Sequence, residues 1–447
     1  MFALRKLPTA LPRPLARTIR ANATLASTSE AAPSTPEEPA ALEAATTQGR
    51  RKRKVPLKRP PISLENPRKW NRPLTPGVIP AYDLALAYLR QDSANLKKEL
   101  EELRGVIKAK EGEYKVLEKR VLELREKEAG VEERTKARSE LDAVDAELEK
   151  LLEKADILEV QSEVNLPDVR WTVSNAMADM SKVSHRALLE QKWRKDGDLD
   201  LLMERLYQMH VVPDVLPEIH PSLDLHVVAR TKPKEFLNSD SKKVQMNVEP
   251  GTFLRPKQTL VPPKLFASVF HTDTRLYTML LVDPDVPQPD TESFTTYLHW
   301  MKPNIPLSAT SPSKLSDLNT HTKYIPPHPQ RGTPYHRYVC LLLPQPPLGA
   351  SEYTLTAASR ATGPTSMHLD IPVVPEAERL GFNVREFTRR WNLNAAKGGG
   401  AHMWREVWDE DVSAVYKDIL NKPEPRYSRP PKADPYVEVK QKKKYIA

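Results

Sequence analysis

Two aspartates, two histidines and a tyrosine fall together within residues 283–338. Asp283-Pro284-Asp285-Val286-Pro287 comes first, His299-Trp300 follows, and Gly332-Thr333-Pro334-Tyr335-His336-Arg337-Tyr338 completes the series. Asp283 and Asp285 follow the apolar run Leu276–Val282. In a strand, residues two apart point to the same side, so both carboxylates are placed to face one site. There they could accept hydrogen bonds from a ligand or work as an acid/base pair. The same spacing also suits a turn, with aspartate capping backbone amides and proline fixing the dihedral. His336 and Tyr338 are two apart as well, which sets imidazole and phenol on one face. Such groups donate to phosphate or carboxylate oxygens, or, with the aspartates, select a cation. No His-x-x-x-His pair and no cysteine cluster accompanies them, so no metal is expected.

These residues must be held by strands. Short apolar runs bounded by Pro, Gly and Asp occur at Leu223–Ala229, Leu265–Phe270, Leu276–Val282, Arg337–Leu343 and Ser351–Leu355. They predict a β-rich domain, with helices near Phe382–Trp391 and Val407–Leu420 closing it. Cys340, the single cysteine, lies in one of these runs and reads as a buried, inert thiol.

Upstream the period changes. Leu89, Leu96, Leu103, Leu117, Leu124 and Val131 recur at multiples of seven, beside a companion row of Leu100, Ile107, Tyr114 and Val121. This predicts a long amphipathic, coiled-coil-like helix over 82–160, with bends or breaks at Gly105, Gly112 and Gly130. Its stripe needs cover, either from neighbouring proteins, which would make it a strut, or from itself as a hairpin. Shorter helices are expected across 166–210, around Trp171–Met180, His185–Trp193 and Leu199–Met209.

The remainder is polar and basic. The 447 residues carry a formal net charge of +9 and 43 prolines, which favours an anionic partner. Residues 1–30 are Arg-rich and free of acids until Glu30, the composition of a mitochondrial presequence. Residues 31–80 form an extended linker that turns basic at Arg50, Arg51, Lys52, Arg53 and Lys54 and continues through Lys58 and Arg59. A second basic tail occupies 421–447, with Lys442, Lys443 and Lys444 near its end. Both suit binding to RNA phosphates; the first also suits a solvated linker. No run reaches the length of a membrane span.

The three signatures resemble those of the phosphatidylethanolamine-binding protein (PEBP) family. Val212-Pro213-Asp214-Val215-Leu216, Asn304-Ile305-Pro306, Phe382–Phe387 and Trp408-Asp409 resemble its flanking segments, so the likeness spans 205–420. The resemblance implies a β-sandwich with terminal helices and a small anion pocket, with Asp283, His299, His336 and Tyr338 at the positions of pocket groups. The chain departs from the family pattern at Pro289, Leu307, Pro326 and Pro334. The expected fold class is therefore mixed α and β: a PEBP-like sandwich preceded by a long helical region and an extended basic segment.

Address, basic strand, helical region, PEBP-like body and basic tail together resemble the PEBP-like ribosomal proteins of the fungal mitochondrial large subunit. That resemblance implies a structural role in the mitochondrial matrix, with ribosomal RNA and neighbouring large-subunit proteins as partners and no cofactor. The competing expectation is a regulator that binds a small anion or a phospholipid headgroup. No Gly-x-Ser-x-Gly elbow, metal-binding helix or phosphate loop supports an enzyme; Lys397-Gly398-Gly399-Gly400 reads as a turn.

Overall fold

A computed structural model describes residues 62–68, 74–127, 130–230, 245–349 and 353–427. The expected presequence, the basic residues Arg50–Arg59 and the lysines Lys442–Lys444 lie outside the described residues.

The heptad region is two helices, α1 (Pro80–Glu126) and α2 (Val131–Val164), divided at Gly130, one of the three glycines where a bend or break was expected; the region expected as a long helix over 82–160 is thus a helical pair. The apolar row lapses over Lys127–Gly130, where glycine adds poor helix propensity. Folding back buries the stripe. Leu100, Leu103 and Ile107 of α1 pack on Leu148, Ala155 and Leu158 of α2. The pairs Lys97–Glu163, Arg104–Glu159 and Lys110–Glu147, at 2.8–3.2 Å, run in opposite senses along the two helices and show an antiparallel hairpin. Exposed pairs of this kind contribute about 0–1 kcal/mol each, so the apolar seam dominates.

Shorter helices follow: α3 (Pro167–Ser174), α4 (Val183–Lys195), α5 (Asp198–Gln208) and α6 (Val211–Asp214). Then come strands β1 (Asp224–Arg230), β2 (Gln245–Val248) and β3 (Phe253–Leu254), a short helix α7 (Pro256–Thr259), and strands β4 (Lys264–Ser268), β5 (Arg275–Gln288), β6 (Ser293–Leu307) and β7 (His336–Pro344). The chain continues through α8 (Leu355–Arg360), α9 (Val384–Arg390), β8 (Gly400–Glu406) and α10 (Glu410–Ala414), which runs into a wide turn of helix at Val415–Leu420.

The strands make a three-stranded sheet, β2-β1-β4, and a five-stranded sheet, β3-β8-β7-β5-β6. Leu225, Val227 and Leu265 of the first sheet pack on Met279, Leu281, Tyr338 and Trp404 of the second. Alternate residues of the second sheet, among them Leu280, Val282, Val339, Leu341 and Met403, face Leu202 and Leu206 of α5 and Val384 of α9. Being covered on both sides explains why β5 and β7 read as unbroken apolar runs. Burial pushes the Cys340 thiol up to about 12, which leaves it unreactive.

The hairpin is fastened to this body. Leu355 and Thr356 donate their backbone amides to the Glu149 carboxylate at 2.8 and 2.9 Å. Arg360 bonds Asp145 at 2.8 Å, and its guanidinium lies 3.7 Å from the Tyr114 ring centre. Leu355 therefore opens α8, and the strand expected over Ser351–Leu355 is absent from the described residues Tyr353–Leu355. Thr354 explains this, since its hydroxyl caps the new helix by accepting from the Ala357 amide. The Lys397–Gly400 run is the turn into β8: Gly399 has φ of +110°, and a Cβ there would collide with the Leu342 carbonyl.

Candidate functional site: a sealed polar cluster

β5 and β7 lie side by side, and this brings Asp283 to His336. The pair is joined by a 2.8 Å hydrogen bond from Nδ1 to the carboxylate, with both side chains about 1–2 % exposed. Thr333 donates its hydroxyl hydrogen to the Gln330 carbonyl at 2.7 Å, so its oxygen is left to accept from His336 Nε2 at 2.9 Å. Both ring nitrogens then carry hydrogen. Burial opposes that charge, but the adjoining Asp283 carboxylate outweighs it and holds the His336 pKa above its ordinary value.

Asp285 does not share this site. Between Asp283 and Val286 the register of β5 against β6 shifts, across Pro284 and Asp285. The pleat is broken there, so the rule that residues two apart share a face fails. Asp285 reaches the opposite side, where it bonds Arg337 through Nη2 at 2.7 Å and accepts from the Arg337 amide at 2.8 Å. Arg337 Nη1 also donates to Asp214, at 2.9 Å, and to the Met209 carbonyl, at 2.6 Å. The expected convergence of two carboxylates is thus corrected: one serves the interior, the other clamps α5 and α6 onto the sheet.

His299 owes its position to a second irregularity. Leu281 pairs with Trp300 and Val282 with Leu298, which leaves His299 as an extra residue in β6. Its Nδ1 donates to the Ile325 carbonyl at 2.9 Å, and its ring lies 5.2 Å from that of Tyr338. Burial, with the neighbouring His328, holds His299 neutral with its pKa well below the ordinary value. Its Nε2 and the Tyr338 hydroxyl are buried without a hydrogen-bond partner among the described residues. Burial, together with the facing Asp283, raises the phenol pKa well above normal.

The buried segment Ile325–Gln330 closes the cluster. The His328 ring packs against His299 at 5.0 Å, Tyr297 at 4.9 Å and Tyr416 at 5.3 Å. Tyr416 comes from the turn after α10, and with Val412 it forms an apolar cap over Val286 and Tyr297. Asp283, His299, His336 and Tyr338 therefore do meet, in a packed interior rather than an open pocket. Beneath them Glu406, fully buried, accepts from Trp404 Nε1 at 2.8 Å and from the Thr259 hydroxyl at 3.1 Å. Burial pushes its pKa up to about 8. Among the described residues no group of acidic, histidine or cysteine side chains is arranged to hold a metal, and no helix is long and apolar enough to cross a membrane.

Residues 244–396 match the profile of the family described as phosphatidylethanolamine-binding protein. The chain is 31% identical over 193 residues to Protein FLOWERING LOCUS T of Arabidopsis thaliana, covering 43% of this chain and 85% of that protein. The chain belongs to the phosphatidylethanolamine-binding protein family. It is also 29% identical over 259 residues to Large ribosomal subunit protein mL38 of Schizosaccharomyces pombe, 58% of this chain and 73% of that protein. Among solved structures, phosphatidylethanolamine-binding protein from Plasmodium vivax aligns at 17% identity and a TM-score of 0.30, covering 46% of this chain and 97% of that one.

Within this PEBP body, His328, Tyr297, Tyr416 and Glu406 join the cluster although sequence reading did not single them out. His328 stands in Pro326-Pro327-His328-Pro329, an irregular stretch without period, and Tyr416 is far away in sequence. The one local signal was the alternation of Trp404 and Glu406, which sets an acid on a core-facing position.

Proposed function

We propose that this chain is a non-catalytic structural constituent of the mitochondrial large ribosomal subunit. One observation carries the reading: the likeness to the S. pombe large-subunit protein runs over 259 residues, well beyond the family match at 244–396. The likeness therefore extends outside the family match. The Arg-rich, acid-poor residues 1–30 supply a mitochondrial address, and the matrix is the destination. Arg50–Lys54, Lys58 and Arg59 at one end and Lys442–Lys444 at the other bind ribosomal RNA phosphates. The α1/α2 hairpin meets neighbouring large-subunit proteins.

The cluster around His336 supports a structural rather than a ligand-binding body. Asp283, His299, His336 and Tyr338 are all buried, so they present a headgroup with almost no exposed surface. The cluster serves the fold as a buried polar core in which Asp283 pairs with His336 and the rings of His299 and Tyr338 pack together.

Sedimentation of a gently lysed mitochondrial extract at two salt concentrations tests the reading. Co-migration with the large subunit that survives moderate salt is expected. Recovery of the chain only in the light soluble fraction would overturn it.

A further inference from the structure

Residues 313–315 run alongside β4: the Ala267 amide donates to the Ser313 carbonyl at 2.7 Å, and the Leu315 amide to the Leu265 carbonyl at 3.0 Å. Between this segment and the end of β6 lies a surface groove of about 480 Å³, lined by Lys302 of β6 and by Lys314. Ile305, Leu307 and Leu315, buried members of the core between the two sheets, back it. Lys302 is held in place, because its Nζ donates to the Thr320 hydroxyl at 2.7 Å. Lys264 adds a third cation. It lies two positions from Phe266, which pairs with Lys314, so strand alternation puts Lys264 and Phe266 on one face of β4. None of the three lysines forms an ion pair among the described residues.

The acids nearby do not cancel this charge. Asp317 is the one acid that lines the groove. Asp273, next to the lining residue Thr274, bonds Arg275 at 2.9 Å. Asp370 follows Leu369, whose amide bonds Asn304 of the groove, and lies 3.8 Å from His368. The hydroxyls of Thr274 and Ser316 also line the groove and make no hydrogen bond among the described residues. Ammonium and hydroxyl groups are the donors that phosphate and sugar oxygens accept from. No aromatic ring lines the groove, so a base has nothing to stack on. No large apolar side chain is exposed between residues 295 and 334, so nothing there would enter a bilayer. Pro306, Pro312, Lys314 and Ser316 are exposed along it, which suits a length of backbone better than a single enclosed ion.

We propose that Lys264, Lys302 and Lys314 hold the sugar–phosphate backbone of an RNA helix along this groove. This rests on the RNA-binding reading above and adds to it a site on the folded body, independent of the chain ends. Backbone contacts carry no base information. The groove thus orients the body on RNA without selecting a sequence.

The full chain is mixed with a duplex RNA of about 16 base pairs and random sequence. Acylation of lysines by an N-hydroxysuccinimide ester, mapped by mass spectrometry, should show Lys264 and Lys314 losing reactivity when RNA is present. In fluorescence anisotropy, Lys302→Gln/Lys314→Gln should lower the slope of log K against log salt by about 1.4 to 1.8. Asp317→Asn, a residue that tolerates the φ of +54° there, should tighten binding. An unchanged slope in the double variant, with Lys264 and Lys314 as reactive as before, would overturn the groove and leave binding by the chain ends standing. No binding by the wild type at all would overturn both. Protection of Lys314 by phosphatidylserine vesicles or by inorganic phosphate, but not by RNA, would make this a lipid or free-phosphate site, and the proposal would fall. Should the double variant not fold, the reactivity map of the wild type decides alone.

Discussion

Glu406 makes the chain's stability depend on pH in a direction opposite to that of an ordinary carboxylate. Its pKa rises from 4.5 to about 8 on burial, so the folded protein holds a proton that the unfolded chain releases. The resulting stabilisation is fully present below pH 4.5 and is lost as pH rises through 8. His336, also raised, adds loss on the same side. His299 and His328 are depressed by burial, so they act on the acid side: stability falls as pH drops below their ordinary value of 6.5. Glu406→Gln keeps an acceptor for Trp404 without the proton linkage. Urea unfolding between pH 5 and 9 should show wild-type stability falling by up to about 1.4 kcal/mol per pH unit from this group, and a flatter profile in the variant. An unchanged slope in Glu406→Gln would place the linkage elsewhere. Asp283→Asn should cost about 3–5 kcal/mol, the penalty for leaving a buried partner uncompensated, and should lower the His336 pKa by NMR titration. A stable variant with His336 unshifted would mean that the pair contributes nothing to the fold.

The elements show what sequence periodicity carries and what it loses. Runs such as Leu276–Val282 and Arg337–Leu343 announce β5 and β7 because both faces are buried, and the heptads announce helix because one face is. β6 escapes, since Tyr297 to Leu307 mixes Lys302, Pro303 and Asn304 into the strand, and the bulge at His299 breaks its alternation. The same kind of irregularity between Asp283 and Val286 parts Asp283 from Asp285, a separation that spacing cannot reveal. Which of two covers the heptad stripe takes is likewise absent from its period. The hairpin follows from contacts far apart in sequence, such as Arg104 with Glu159 and Lys97 with Glu163. Leu148, almost fully buried at the centre of that seam, tests it: Leu148→Ala should cost about 2–5 kcal/mol. Hydrogen exchange should then speed up in α1 and α2 while β5 and β7 keep their protection. Equal loss of protection in the sheet would mean that hairpin and sandwich unfold as one unit.

At the scale of the whole chain, folded body and charged ends divide the work between shape and charge. The sandwich buries charged groups in pairs, Asp283 with His336 and Asp285 with Arg337. The net charge of +9 is concentrated instead near the ends of the sequence, at Arg50–Arg59 and Lys440–Lys444. Affinity for a polyanion then depends on how many cations displace condensed counterions, and each contact adds about 0.7 to 0.9 to the slope of log K against log salt. Replacing Lys442, Lys443 and Lys444 by glutamine should lower that slope by about 2 to 3 for a duplex RNA probe of random sequence. The melting temperature should not move, because these lysines are far in sequence from the buried pairs that hold the body. An unaltered slope would show that the tail touches no phosphate and would transfer the electrostatic role to the Arg50–Arg59 run. A lower slope with a lower melting temperature would instead make the tail part of the fold. Only a change in slope with stability intact fits a chain whose body supplies shape and whose ends supply charge.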